Sequence, residues 1–197
     1  MRTVITEQDV PRSGALHVTP GAIITPSARD LARERGVAII ETAAQQTIAL
    51  GSDHGGFALK ESLKPILTEL GWHIRDVGVF EEKPADYPDI AHAVARLVAD
   101  SAATLGVIVD GAGIGSCMAA NKVPGIRAAL CYDKASARNS REHNHANVLT
   151  LGGRMLTASR AEDVLRTWLA TPFGGGRHQN RIDKITEIER RYSNWTP

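Results

Sequence analysis

From Thr47 the sequence alternates short apolar runs with amphipathic stretches, and that alternation leaves few folds open. Ile48–Gly51, Trp72–Val79, Leu105–Val109, Ile126–Cys131 and Val148–Leu151 read as five strands. Between and after them, Phe57–Leu70, Asp89–Ser101, Gly115–Lys122, Lys134–Glu142, Arg160–Leu169 and Asn180–Tyr192 read as helices, the first despite Pro65. Leu105–Val109 has no polar side chain, as expected of a strand covered on both faces. Strands alternating with helices predict an α/β fold with a mostly parallel five-stranded sheet and right-handed crossovers. Ligands of such sheets sit beyond the carboxyl ends of the strands.

Residues 1–46 read differently, as a small α/β appendage with a linker, ahead of a main domain over 47–197. Ala15–Val18 and Ala22–Ile24 are expected as a strand pair about the turn signal Pro20-Gly21. A helix over Ser27–Arg35, stopped by Gly36, should follow, then a strand over Val37–Ile40. Glu41–Gln46 is the expected linker. A piece this short is marginal alone, so docking on another surface is expected of it.

Charge and cysteine content narrow the function classes. Lys plus Arg number 23 against 22 Asp plus Glu, which gives no basic face for nucleic acid or membrane. Two cysteines, Cys117 and Cys131, fit a reducing compartment rather than a disulfide scaffold. No apolar run reaches the ~18–20 residues of a membrane span, and the first residues lack the apolar core of a signal peptide. A cytoplasmic location is therefore expected.

Four segments carry candidate chemistry. The first strand ends in Gly51-Ser52-Asp53-His54-Gly55-Gly56, where glycines admit an anion to backbone amides and Asp53 and His54 can meet hydroxyls or phosphate. The third ends in Asp110-Gly111-Ala112-Gly113-Ile114-Gly115-Ser116, a turn whose amides can stabilise negative charge. A dinucleotide site competes for this loop, with Asp133 about 20 residues on as the ribose acid; Ser116 replaces its third glycine. Ser140–Asn147 places His143, Asn144 and His145 just before a strand. Imidazoles there can move protons and amides can hold hydroxyls, whereas a metal lacks a third ligand at familiar spacing. Gly174–Arg181 carries Arg177, His178 and Arg181; the arginines, four apart, can face one anion at a helix start.

GSDHGGFALK, DYPD at Asp86–Asp89, GAGIGSCMAANKVPGIRAALC, SREHNHANVL and GGRHQNRIDKITEIE, in this order, resemble the ribose-5-phosphate isomerase B family, which includes the galactose-6-phosphate isomerase subunits. The resemblance spans about Thr47–Tyr192. It implies a Rossmann-like three-layer sandwich without dinucleotide, other cofactor or metal, and a homodimer, or a dimer of dimers, with active sites shared between subunits. It implies aldose–ketose isomerisation of a sugar phosphate through an enediol, by default between ribose 5-phosphate and ribulose 5-phosphate, with tetrose or hexose phosphates as alternatives. Asp53 and His54 would line the sugar site and Tyr87 would border it. The amides of Gly111, Gly113, Ile114 and Gly115 would cradle the enediolate. His143 would assist ring opening, Asn144 would bind substrate, and Arg177, His178 and Arg181 would meet the phosphate.

Three departures stand out. Family members often carry a catalytic cysteine where this chain has Asp110, another group has a glutamate at the place of Ser116, and Ala112 replaces a frequent hydroxyl residue. A carboxylate can take a proton next to a carbonyl, so Asp110 is the expected base, with Cys117, near a helix start, as the alternative. Absence of the usual base also leaves open a sugar-phosphate-binding protein without turnover. The stretch PGAIITPSARDLARERG resembles segments on proteins of bacterial microcompartments, which implies recruitment to a shell or cargo protein.

Overall fold

The computed structural model describes residues 3–19, 21–41 and 46–193, and the chain divides into two compact units, Met1–Gln45 and Gln46–Pro197. In the first unit, β1 (Val4–Ile5) precedes a 3-10 turn (Glu7–Asp9), β2 (Ala15–Val18), β3 (Ile23–Ile24), α1 (Pro26–Glu34) and β4 (Ala38–Glu41). The expected pairing across Gly21 is not what forms. β2 pairs in parallel with β4, and β3 in parallel with β1, a strand the sequence reading missed. A parallel pair needs a crossover, and α1 supplies one between β2 and β4. That crossover buries Ala28 and Ala32 against Leu16, Val18 and Val37. Thr25 begins α1 by accepting the Ala28 N–H at 3.3 Å, and Pro26 costs nothing in the first turn. Pro20 and most of the expected linker, residues 42–45, lie outside the described residues.

The second unit holds β5 (Thr47–Ser52), α2 (Phe57–Glu69), β6 (His73–Asp76), α3 (Tyr87–Ala99), β7 (Leu105–Asp110), α4 (Ile114–Ala120), β8 (Ala128–Leu130), α5 (Lys134–Glu142), β9 (Val148–Gly152), α6 (Ala158–Ala170), a 3-10 turn (Gly176–His178) and α7 (Gln179–Tyr192). Its sheet runs β6-β5-β7-β9-β8, and every pair is parallel. Strand side chains alternate between two covered faces. Ile48, Leu50, Val107, Val109, Leu149 and Leu151 meet Leu63, Leu67, Leu165 and Trp168 of α2 and α6. Ala49, Ile108 and Val148 meet Val94 and Ala95 of α3 and Ala120 of α4. All six residues of β7 are buried, which accounts for its apolar sequence.

β6 lies on one side of β5 and β7 on the other. Connections leave β5 and β7 in opposite directions, so a crevice opens between their carboxyl ends. β6 is shorter than its apolar run predicts because Gly78 N–H turns onto the Asp76 carboxylate at 3.0 Å. β8 is shorter because side chains take its first amides: Asn147 Oδ1 accepts from Arg127 N–H and Asn121 Oδ1 from Ala128 N–H. Lys60 is fully buried and donates to Asp76 at 2.8 Å and to the Val79 carbonyl at 2.7 Å.

Candidate active site

The acids of the first two glycine motifs meet at the crevice between β5 and β7. Asp53 N–H donates to the Val109 carbonyl at 3.2 Å, which seats Asp53 beside Asp110. Gly56 is required there, because a Cβ on it would stand 2.1 Å from the Val109 oxygen. Asp53 is buried and its Oδ1 accepts from Gly56 N–H at 2.9 Å. Burial raises the Asp53 carboxyl above the usual range; the Gly56 N–H pulls it back, and the charge of Asp110 pushes it further up.

Asp110 is buried too, and it binds its own loop. Its Oδ1 accepts from Ala112 N–H at 2.8 Å and from Gly113 N–H, and its Oδ2 accepts from Ser116 N–H at 2.9 Å. Of the Gly111–Gly115 amides expected to cradle an enediolate, those of Ala112 and Gly113 are therefore committed to Asp110. The Ala112 carbonyl accepts from Tyr132 Oη at 2.6 Å, a tie that fixes the loop from α5's side and that the sequence reading missed.

Two more predicted residues join this cluster. His54 is exposed and its Nδ1 accepts from Ala85 N–H at 3.4 Å, which leaves Nε2 to carry the proton of the neutral ring. The Tyr87 ring rests on Gly115, where a Cβ would approach it to 2.5 Å. Arg154 was missed: it follows β9 as Gly152-Gly153-Arg154, its N–H donates to the Gly111 carbonyl at 3.0 Å, and its side chain hangs over Gly111. The signal was legible as a third glycine-bearing strand end carrying a cation.

The remaining predicted residues form a second cluster. A box of Asp133 and Ser136 starts α5, so Asp133 is a helix cap rather than a ribose acid. α5 ends at His143, whose Nδ1 accepts from Asn139 Nδ2 at 2.9 Å. The His143 ring stacks on His178 with centroids 4.2 Å apart. Gly174 N–H holds the Glu142 carbonyl at 2.9 Å, which brings the Arg177–Arg181 segment to this helix end. Arg181 donates to the Arg177 carbonyl at 3.3 Å, and Asn144 leans on Asn139. Partial burial lowers the His178 pKa, and His143, Arg177 and Arg181 lower it further. His145 turns away to stack on Phe173.

These two clusters do not meet within one chain. His143 and Asn144 precede β9, while Asp110 stands opposite Gly152 at its far end. Five residues of β9 separate the two levels, roughly 13–17 Å at ~3.3 Å per residue. Cys117 also lies apart from the acids: its Sγ points to the Ala128 carbonyl at 3.4 Å, near the amino end of β8.

Comparison with known proteins places this geometry. The Ribose/Galactose Isomerase family model matches residues 48–185. Ribose-5-phosphate isomerase B of Escherichia coli strain K12 is 42% identical over 144 residues, covering 73% of this chain and 97% of its own length. That of Mycolicibacterium paratuberculosis is 41% identical over 148 residues, covering 74% and 92%. Among solved structures, ribose-5-phosphate isomerase B of Clostridium thermocellum superimposes with a TM-score of 0.74 at 45% identity, over 75% of this chain and 99% of that one. The Mycoplasma genitalium enzyme, solved with bound ribulose-5-phosphate, gives 0.69 at 40% identity, over 73% and 96%. With the family model and these relatives covering the unit that carries both clusters, the chain belongs to the ribose/galactose isomerase family.

Proposed function

We propose that this protein is an aldose–ketose isomerase of a phosphorylated sugar, interconverting ribose 5-phosphate and ribulose 5-phosphate through an enediol. The observation that carries this reading is the crevice between β5 and β7, where two buried carboxylates, a glycine loop, His54 and Tyr87 converge in a member of this family. A carboxylate next to a reacting carbon supplies the proton transfer, and the loop amides left by Asp110, such as Gly111 and Gly115, stabilise the developing oxyanion. Arg177, Arg181 and His178 hold the phosphate, His143 opens the sugar ring, and Asn144 binds a hydroxyl. Arg154 adds a cation on the acid side.

The separation of the two clusters favours a homodimer in which each chain completes the other's site. An apolar groove of about 820 Å³ between β8 and α7, lined by Ile126, Ala128, Ile185, Ile188 and Tyr192, is the surface such pairing would cover. The location is cytoplasmic, and the first unit, with Val4, Ile23 and Ile40 exposed around its own core, docks the enzyme to a microcompartment protein. Among the described residues no helix is long and apolar enough to cross a membrane.

A coupled assay with pentose, tetrose and hexose phosphates tests the reading. Turnover is expected with pentose phosphates; binding without turnover across the whole panel overturns it. Deleting residues 1–46 should leave turnover intact and abolish co-assembly with a shell or cargo protein.

A further inference from the structure

The two acids at the crevice are not equivalent. Asp110 spends both carboxylate oxygens on three backbone donors of its own loop. A carboxylate so held is fixed in orientation, with both oxygens already committed to loop amides. Asp53 is held differently. Its donors are backbone amides of its own turn, Gly56 N–H at 2.9 Å and, more weakly, Gly55, and its Oδ1 lies beside the contact of the two loops: a Cβ on Gly55 would stand 3.4 Å from that oxygen and 3.3 Å from Gly111. Burial outweighs these donors, which leaves a carboxylate that gains by accepting a proton.

Resting on the isomerase reading above, we propose that Asp53 is the base that carries the proton between the two reacting carbons, and that Asp110 is a positioning residue. Asp110 shapes the glycine loop and sets the charge that Asp53 feels. In the open-chain aldose, the Asp53 carboxylate takes the proton from C2. The C2–H pair becomes the C1–C2 double bond, and the carbonyl pair moves onto O1. A proton passes from O2 to O1, the C2 carbonyl forms, and Asp53 returns its proton to C1. The sum is an isomerisation with no change in atoms or electrons.

Charged groups facing Asp53 are Asp110 from β7 and His54 from its own loop, with Arg154 after β9 beside Gly111. Asp110 pushes the Asp53 carboxyl up and His54 draws it down. Removing the Asp110 charge should therefore let Asp53 ionise at lower pH. The acid limb of kcat/KM reports the base in the free enzyme, so that limb should move down in pH.

The experiment compares wild type, Asp53→Asn and Asp110→Asn in full-length protein. Each is assayed for ribose 5-phosphate turnover from about pH 4 to pH 9, for exchange of solvent deuterium into substrate, and for binding of a four-carbon phosphorylated hydroxamate that mimics the enediolate. Asp53→Asn should lose about 10²–10⁴-fold in kcat and exchange while still binding the hydroxamate. Asp110→Asn should stay within about tenfold of wild type, with its acid limb at lower pH. Loss of exchange in an Asp110→Asn protein that still binds the mimic overturns the assignment. So does an active Asp53→Asn, which decides the matter even where Asp110→Asn does not fold. A wild type inert on every sugar phosphate overturns the isomerase reading itself, and this assignment with it.

Discussion

Lys60 has no exposed side-chain surface, yet it carries a charge among Asp76, the Val79 carbonyl and the rings of Phe57 and Phe80. Breaking such a pair leaves a buried charge uncompensated. Lys60→Met should lower unfolding free energy by roughly 3 kcal/mol in urea titration, moderated because Lys64 still reaches Asp76 at 2.7 Å. Burial alone would raise the Asp76 carboxyl, but hydrogen bonds from Lys60, Lys64 and Gly78 outweigh it and hold it below the usual range. Its stabilising share is therefore present above the unfolded carboxylate pKa of about 4 and lost as pH falls through the lower folded value. Urea midpoints should drop below about pH 4 in wild type, and less steeply in Asp76→Asn. Gly115 is a different case. Alanine suits a helix, but its Cβ would displace the Tyr87 ring. Gly115→Ala should keep its thermal midpoint while kcat/KM falls about ten- to hundredfold. At this scale the sequence showed which residues come together, since Asp53, His54, Tyr87 and Asp110 do gather. It did not show their bonds. That Asp110 would bind the amides of its own loop depends on a backbone turn that no spacing encodes.

Among the elements, α7 is the least secured. Within the second unit it buries only Ile182, and Ile185, Ile188 and Tyr192 remain exposed. A tie comes from Glu189, whose two carboxylate oxygens each lie 3.0 Å from Gly125 N. Glu189→Ala should speed hydrogen exchange of the α7 amides about tenfold, the worth of one charge-assisted bond. Exchange in β7 and β9 should not change. Helices and strands of the second unit were legible because their periodicities are clean, α5 to the residue. The strand partners of the first unit were not. Ala15–Val18 and Ile23–Ile24 look like neighbours across Gly21, yet burial of Ala28 and Ala32 draws each to a more distant parallel partner. Pairing follows the helix that must be covered, and a local turn signal carries no information about that.

The second unit keeps Asp53 and Asp110 at one end of its sheet and Arg177 and Arg181 beside the other. If two chains share each site, inactive variants should rescue each other. Mixing Asp53→Asn with the double variant Arg177→Ala and Arg181→Ala, after unfolding and refolding together, should restore about a quarter of wild-type turnover. Half the dimers formed at random are hybrids, and each hybrid retains one intact site. No recovery would mean that each chain builds its site alone. If two chains do share each site, the length of β9 also enters the rate law. An enzyme whose site is completed by a partner loses activity when the partner leaves, before either chain unfolds. Diluted below its pairing constant, it should show rates that fall with the square of concentration rather than in proportion to it, and added inactive chains would then compete for partners like an inhibitor.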